Sequence, residues 1–122
     1  MVKKPHKYRV SPKEQRTYNG DVYHSKAEAI YAAQLDLLLR SGDIRGWERQ
    51  VKFQLGPDNK TIVDFLVTEW HDVYVVEIKG METPEFKRVK KLWVKYAEID
   101  MQIMKRFGNR WQVSVLHGKG SE

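Results

Sequence analysis

The chain has 122 residues and a net charge of +6, a length that suits one domain with a real hydrophobic core. It contains no cysteine, which excludes disulfides, zinc ribbons and thiol catalysis. No apolar run approaches the length of a membrane span, and the N-terminus lacks a signal-peptide core. We therefore expect a cytoplasmic protein that does not bind membranes, in a cell or in an infected host.

Basic charge is concentrated at the ends of the chain. Residues 1–16 contain Pro5 and Pro12, show little apolar periodicity and carry six basic residues against one acid, which predicts a mobile basic arm. We expect one domain over residues 17–117 and a disordered tail over residues 118–122. Basic ends around a mildly acidic centre suit binding to a phosphate backbone, with a solubilising role as the alternative. The candidate DNA contacts in the arm are Lys3, Lys4, Lys7 and Arg9.

Turn and cap signals divide the rest of the chain into elements. Asn19-Gly20 predicts a small hairpin over residues 18–23. Ser25 begins a helix that runs to about Arg40, ends at Ser41-Gly42 and, with nearly continuous alanines and leucines, should be largely buried. The apolar patterns then predict strands over 47–55, 61–69 and 73–79, a helix capped by Thr83-Pro84, and a hairpin over 101–107 and 111–116. The order is α-β-β-β-α-β, typical of an α/β (α+β) fold with a mixed sheet.

An acidic residue lies inside each of two neighbouring apolar strands. Asp64 interrupts the run 61–67 and Glu77 interrupts the run 73–79. An ionised carboxylate is costly to desolvate there unless a partner or a metal compensates it. If the two strands form a tight hairpin turning at Trp70-His71, Asp64 faces Glu77 and Lys79 projects on the same face. The pattern predicts a metal-dependent active site, although a one-residue slip would send Asp64 to the other face.

The spacing of these residues resembles the PD-(D/E)XK nuclease superfamily. Asp64, separated by twelve intervening residues from Glu77-Ile78-Lys79, matches the motif, except that Val63 stands in the proline position. The resemblance implies a restriction-endonuclease-like core, in which Asp64 and Glu77 bind a divalent ion and Lys79 assists the attacking water. Hard ions such as Mg²⁺ or Mn²⁺ prefer oxygen ligands, which the Ile78 carbonyl could also supply.

A second resemblance covers most of the chain. The stretches Tyr23–Ala29, Ser41–Ile44 and Trp47–Val51 are similar to small phage-encoded nucleases of the archaeal-type Holliday junction resolvase group. This resemblance implies that Glu28, on the helix before the sheet, completes the metal site. It also implies a homodimer that nicks four-way DNA junctions symmetrically, because a C₂ dimer is the simplest partner for an approximately two-fold junction.

Several of these residues allow a second interpretation. Ser25 and Glu28 also fit a helix capping box, Asp64 could form a buried salt bridge, and Glu77 and Lys79 could lie on a solvated strand face. Ser25 and Gln50 are candidate contacts to DNA, and so is the basic face of the second helix, where Lys87, Lys90 and Lys91 lie. For the whole protein, the alternatives to a junction resolvase are a repair or restriction-type nuclease and a DNA-binding protein without catalysis.

Overall fold

The structure, a computed structural model, describes residues 11–119, so the candidate contacts of the arm at Lys3, Lys4, Lys7 and Arg9 lie outside the described residues. It has the mixed α+β architecture that the sequence predicts, with two helices and a five-stranded sheet. After a 3₁₀ turn at Lys13–Arg16, the elements are β1 (Thr17–Tyr18), β2 (Asp21–Val22), α1 (Lys26–Ser41), β3 (Gly46–Gln54), β4 (Lys60–Thr68), β5 (Val73–Ile78), α2 (Pro84–Tyr96), β6 (Asp100–Phe107) and β7 (Arg110–Leu116).

Both helices begin, and α1 also ends, as their cap residues predict. The Ser25 hydroxyl accepts a hydrogen bond from the Glu28 N–H at 3.1 Å, and the Thr83 hydroxyl does the same for Phe86 at 3.1 Å. Gly42 closes α1 with a φ of 83°, a left-handed conformation that glycine adopts without steric cost. The ends of α1 and the start of α2 are therefore fixed by local chemistry.

The sheet has the strand order β3-β4-β5-β6-β7, and only β5 and β6 run parallel. This pair is parallel because α2 carries the chain back across the sheet between them. The hairpin of β4 and β5 has the predicted register, since Phe65 pairs with Val76 and Leu66 with Val75. In this register Asp64 and Glu77 are the next opposed residues.

The sheet separates two hydrophobic cores. One lies beneath α1 and contains Tyr23, Ala32, Leu35 and Phe65, while the other lies beneath α2 and contains Leu55, Val63 and Trp93. The prediction that α1 is largely buried is wrong for its last turns, where Leu37 is 61% exposed and Leu38 and Leu39 are also open. Three consecutive helical residues span most of the circumference, so they cannot all face the sheet.

The end of the domain is anchored beside β6. The Gly118 N–H donates to the Asp100 carboxylate at 3.0 Å, and the Lys119 N–H donates to the Ala97 carbonyl at 2.7 Å. A Cβ at Gly118 would lie 2.5 Å from the Ile99 carbonyl oxygen, so this approach requires glycine. Residues 120–122 lie outside the described residues. No helix within residues 11–119 is long and apolar enough to cross a membrane.

Candidate active site

Strands β3 and β4 change faces at one point of the sheet. Phe65 belongs to the core beneath α1, whereas Val63, two residues earlier, belongs to the core beneath α2. In β3, Trp47 packs against the first core and Val51 against the second. Residues two apart in a regular strand share a face, so the alternation breaks between these positions. The residues at the break are Gln50 and Asp64.

Gln50 has a left-handed backbone that accounts for the break. Its φ is 55°, and the pairing of β3 with β4 passes from Arg49↔Phe65 to Val51↔Val63 without a pair between them. A non-glycine residue in this conformation stores strain, which tends to occur at functional sites. The predicted candidate Gln50 therefore stands opposite Asp64, and among the described residues of the five-stranded sheet only Gln50 has a positive φ.

Asp64 lies where β4 separates from β5. The last pair between these strands is Phe65↔Val76, while β5 continues to Ile78 through its pairing with β6. The Asp64 carboxylate lies in this opening and accepts the Ile78 N–H at 2.8 Å. The Asp64 side chain thus accepts the hydrogen bond that a backbone carbonyl of β4 would otherwise accept. Beyond this point β4 and β5 diverge, and we call the opening between them the fork; the Asp64 carboxylate lies at its base.

Glu28 brings a second carboxylate to this fork from α1. Its backbone N–H donates to the Ser25 hydroxyl that caps the helix. The residue is only 4% exposed, and its side chain lines the same cleft as Asp64. Burial, together with the neighbouring Asp64 charge, raises the pKa of Glu28 to about 7, and Arg49 opposes the rise. The Glu28 Oε1 atom is buried and has no hydrogen-bond partner among the described residues. Ser25 therefore caps α1 through the Glu28 N–H, and the Glu28 carboxylate lies in the cleft rather than on the Ser25 N–H as a capping box would place it.

Glu77 and Lys79 form an ion pair at the end of β5. The Lys79 Nζ atom lies 3.4 Å from the Glu77 carboxylate and 4.4 Å from the centre of the Phe86 ring. Glu77 is 5% exposed, and its burial, with the nearby Asp64 charge, raises its pKa to about 8 although Lys79 opposes the rise. Within residues 11–119, Lys79 is the only lysine or arginine in ion-pair contact with the three carboxylates.

The donor chemistry of this cluster suits a hard divalent cation. Glu28, Asp64 and Glu77 offer carboxylate oxygens, and the unpartnered Glu28 Oε1 atom is the kind of buried acceptor that a cation would satisfy. Within residues 11–119, however, no three Asp, Glu, His or Cys side chains are arranged so that they could hold a metal ion. Asp64 is engaged with Ile78 and Glu77 with Lys79. Metal binding would therefore require at least one of these carboxylates to change its rotamer.

Glu28, Asp64 and Lys79 line a cleft of about 360 Å³, whereas Glu77 is buried behind it and is not among its lining residues. The start of α1, the fork and the ends of β5 and β6 form its walls, which are lined by His24, Ser25, Ala27, Glu28, Asp64, Ile78, Lys79, Gly80 and Arg106. The candidate DNA contact Ser25 is thus at the cleft, on the cap of α1. A cleft at the carboxyl ends of parallel strands is a common ligand position in α/β sheets.

Two arginines and one histidine near the cluster were not identified from the sequence. Arg49 lies behind Glu28, with its guanidinium 3.9 Å from the Tyr23 ring and donating to the Val22 carbonyl at 3.3 Å. His24 lies 3.9 Å from the Glu28 carboxylate at the mouth of the cleft, and Arg106 reaches the cleft from β6. Arg49 directly precedes the candidate Gln50, which was a usable signal, whereas the position of Arg106 depends on the parallel register of β5 and β6.

The basic face of α2 is separate from the cleft. Lys87, Lys90 and Lys91 line a shallow depression of about 440 Å³, and Lys87 and Lys91 are exposed. Lys90 forms an ion pair with Glu82 at 2.7 Å, which neutralises part of its charge. The structure thus brings these three candidates together on one surface, and their contact with DNA stays a prediction.

Comparison with known proteins identifies a family. A family model described as "Protein of unknown function (DUF1064)" matches residues 5–109. The chain belongs to the DUF1064 family. No curated protein matches this DUF1064 chain. A solved structure titled "Crystal structure of SSO0001" is similar with a TM-score of 0.41 and 16% identity, over 76% of this chain and 50% of that one. The chain thus spans about half the length of that protein.

Proposed function

We propose that this protein is a Mg²⁺- or Mn²⁺-dependent DNA endonuclease. The observation that carries the proposal is the fork between β4 and β5, where Asp64, Glu77 and Lys79 meet Glu28 of α1. Buried carboxylates with raised pKa values beside a lysine are costly for folding, and clusters of this kind are characteristic of catalytic sites. The resemblance of Asp64 and Glu77-Ile78-Lys79 to the PD-(D/E)XK motif gives the reaction class.

Each residue has a role in the proposed reaction. Glu28, Asp64, Glu77 and the Ile78 carbonyl would hold the ion, which when bound would polarise the scissile phosphate and acidify a water. Lys79 would leave Glu77 as metal binding neutralises that carboxylate, and it would then orient the attacking water and stabilise charge on the phosphoryl oxygens. The contact of Lys79 with the Phe86 ring limits the directions in which the ammonium can move.

We further propose four-way DNA junctions as the substrate, on the basis of the resemblance to junction resolvases. A single cleft on a domain of this size reaches one strand at a time, so paired nicks would need two copies. The basic residues of the arm and of α2 would contact the phosphates of the junction arms.

The proposal is tested by incubating the purified protein with labelled four-way junction, flap and plain duplex DNA in Mg²⁺ or EDTA. We expect cleavage of the junction in Mg²⁺ only. Asp64→Asn and Lys79→Met should lower the rate by at least about a hundredfold and tenfold respectively, since each tenfold loss is about 1.4 kcal/mol of barrier.

Asp58→Asn is the matched control, because it removes one carboxylate from an exposed turn of the same sheet and should leave the rate unchanged. Folded Asp64→Asn protein with wild-type turnover would refute the site. Equal cutting of junction and plain duplex would exclude a junction resolvase and support a repair or restriction-type nuclease. DNA binding without cleavage in either Mg²⁺ or Mn²⁺ would support a DNA-binding protein without catalysis.

A further inference from the structure

Arg106 occupies a special position at the end of β6. It lies two residues beyond Met104, which pairs with Ile78 in the parallel register of β5 and β6. It lines the same cleft as Glu28, Asp64 and Lys79. The Lys79 N–H donates to the Met104 carbonyl at 2.9 Å, so β5 and β6 are still joined beside the cleft and the base of Arg106 is held in place.

A ring platform holds the guanidinium of Arg106. Its central carbon lies 4.8 Å from the centre of the Trp111 ring. Trp111 is fixed in turn, because its indole N–H donates to Gln34 at 3.0 Å and its ring forms a T-shaped pair with Tyr31, with the ring centres 5.8 Å apart. A stacked arginine loses less side-chain entropy when it binds a ligand, because its orientation is already set.

The charge of Arg106 is not compensated within residues 11–119. Its Nε atom is buried and has no hydrogen-bond partner, and no carboxylate of these residues lies within ion-pair distance of its guanidinium. The Nε atom of Arg49 is also buried without a partner, but its guanidinium donates to the Val22 carbonyl at 3.3 Å. Arg16 donates to two backbone carbonyls, and Arg88 pairs with Glu85 at 2.8 Å. A buried, unpaired guanidinium N–H is costly, and it indicates a missing anionic partner.

Before a metal ion binds, Arg106 is the cation of the cleft that is best placed to attract a phosphate. The carboxylates of the cleft repel a DNA backbone, and the ammonium of Lys79 is already paired with Glu77. An arginine presents a planar fork of N–H donors that matches two phosphate oxygens. We propose that Arg106 binds the non-bridging oxygens of a DNA phosphate at, or next to, the scissile bond. This inference rests on the proposed function for the identity of the phosphate, and on the geometry of Arg106 for the binding of an anion.

The experiment compares Arg106→Gln and Arg106→Lys with Arg110→Gln. Arg110 is the matched control, because it lies in the same β-hairpin, is exposed and is outside the cleft lining. Cleavage of a labelled four-way junction is measured in Mg²⁺, and affinity for the same junction is measured with Ca²⁺ in place of Mg²⁺. Arg106→Gln should lower kcat/KM by at least about tenfold, Arg106→Lys by less, and Arg110→Gln by no more than about twofold.

A neutral phosphate separates a phosphate contact from a packing role on Trp111. A methylphosphonate is placed at the mapped cut site or at its neighbour, which removes the negative charge of that one group. If Arg106 binds this phosphate, the Arg106→Gln loss of affinity seen on normal DNA should disappear on one of the two modified junctions. The proposal is overturned if Arg106→Gln loses the same affinity on the normal and on both modified junctions. It is also overturned if Arg106→Gln behaves as Arg110→Gln does.

The outcomes for Arg106 and for the nuclease can be told apart. If the wild-type protein cleaves and the Arg106 variants match the control, the nuclease stands and the role of Arg106 falls. If the wild-type protein cleaves nothing but Arg106→Gln selectively weakens junction binding, the anion site stands and the nuclease falls. The absence of both effects overturns both proposals. Circular dichroism melts of each variant confirm that the fold is retained.

Discussion

At the scale of single residues, the buried carboxylates link the proposed chemistry to protein stability. Asp64 and Glu77 could be identified from the sequence because an acid within an apolar strand conflicts with its surroundings. Glu28 needed the resemblance, since its spacing from Ser25 also satisfies a helix cap. Arg106 could not be found in this way, because a basic residue near the end of a strand is common and only the tertiary structure brings it to the cleft.

The raised pKa of Glu77 predicts how stability depends on pH. Its ordinary pKa of 4.5 rises to about 8 in the folded protein, so below 4.5 both the folded and unfolded states are protonated. Between these values the unfolded state releases its proton first, and the free energy of unfolding falls as pH rises, by up to about 1.4 kcal/mol for each unit. Glu28, whose pKa is raised to about 7, lowers the free energy of unfolding in the same way as pH rises to about 7.

Glu77→Gln should therefore stabilise the metal-free protein at pH 8 by at least about 1 kcal/mol, and this gain should shrink towards pH 4.5. Urea unfolding in EDTA at several pH values measures the difference. Mg²⁺ should restore stability to the wild-type protein at pH 8 and have less effect on the variant. A wild-type protein that gains stability from pH 5 to 8 in EDTA would contradict the raised pKa.

At the scale of elements, most boundaries followed from local sequence and one distortion did not. Turn residues such as Asn19-Gly20 and Gly108-Asn109, and the caps Ser25 and Thr83, act through neighbouring backbone, so the sequence locates them closely. The face change at Gln50 leaves no such signal, because the apolar residues Trp47, Val51 and Phe53 are odd-numbered on both sides of it. The overprediction of burial in α1 arose similarly, since composition does not tell which stripe meets the sheet.

The left-handed backbone of Gln50 can be tested by substitution. A β-branched residue is strongly disfavoured at a φ of 55°, so Gln50→Val should cost about 2 kcal/mol or more. Gln50→Gly should be neutral or stabilising within about 1 kcal/mol, because relief of strain offsets the added freedom of the unfolded chain. Lys52→Val, at an exposed position of the same strand, is the control and should change little. If Gln50→Val and Lys52→Val changed the free energy of unfolding in denaturant equally, backbone strain at Gln50 would be contradicted.

At the scale of the whole molecule, exposed apolar side chains offer a place for a second copy. Two tryptophans near the surface differ in their contacts: Trp111 contacts Gln34, Tyr31 and Arg106, whereas Trp70 is 59% exposed. The indole N–H of Trp70 donates to the Gly42 carbonyl at 2.8 Å, which places the ring beside the end of α1. Leu37, Leu38 and Leu39 are exposed on that same end of the helix.

We predict a homodimer that buries this end of α1. Leu37→Glu should convert the protein to a monomer in sedimentation velocity and reduce the paired nicking of junctions to single nicks. Val94→Glu is the control, because Val94 is 48% exposed on α2, away from this surface, and its change should leave the dimer intact. A wild-type protein that sediments as a monomer at working concentration removes the structural basis for paired cleavage.

The change of faces in β4 also couples the two halves of the domain during unfolding. One strand supplies Val63 to the core beneath α2 and Phe65 and Val67 to the core beneath α1. If one helix detached alone, apolar side chains of β4 would become exposed while the other core still held the strand in place. Such partial opening would lose buried apolar surface and gain little conformational entropy, so it is unfavourable. Native-state hydrogen exchange of the β4 amides should therefore proceed only through global unfolding. Asp64, at the centre of this strand, would keep its position for as long as the domain remains folded.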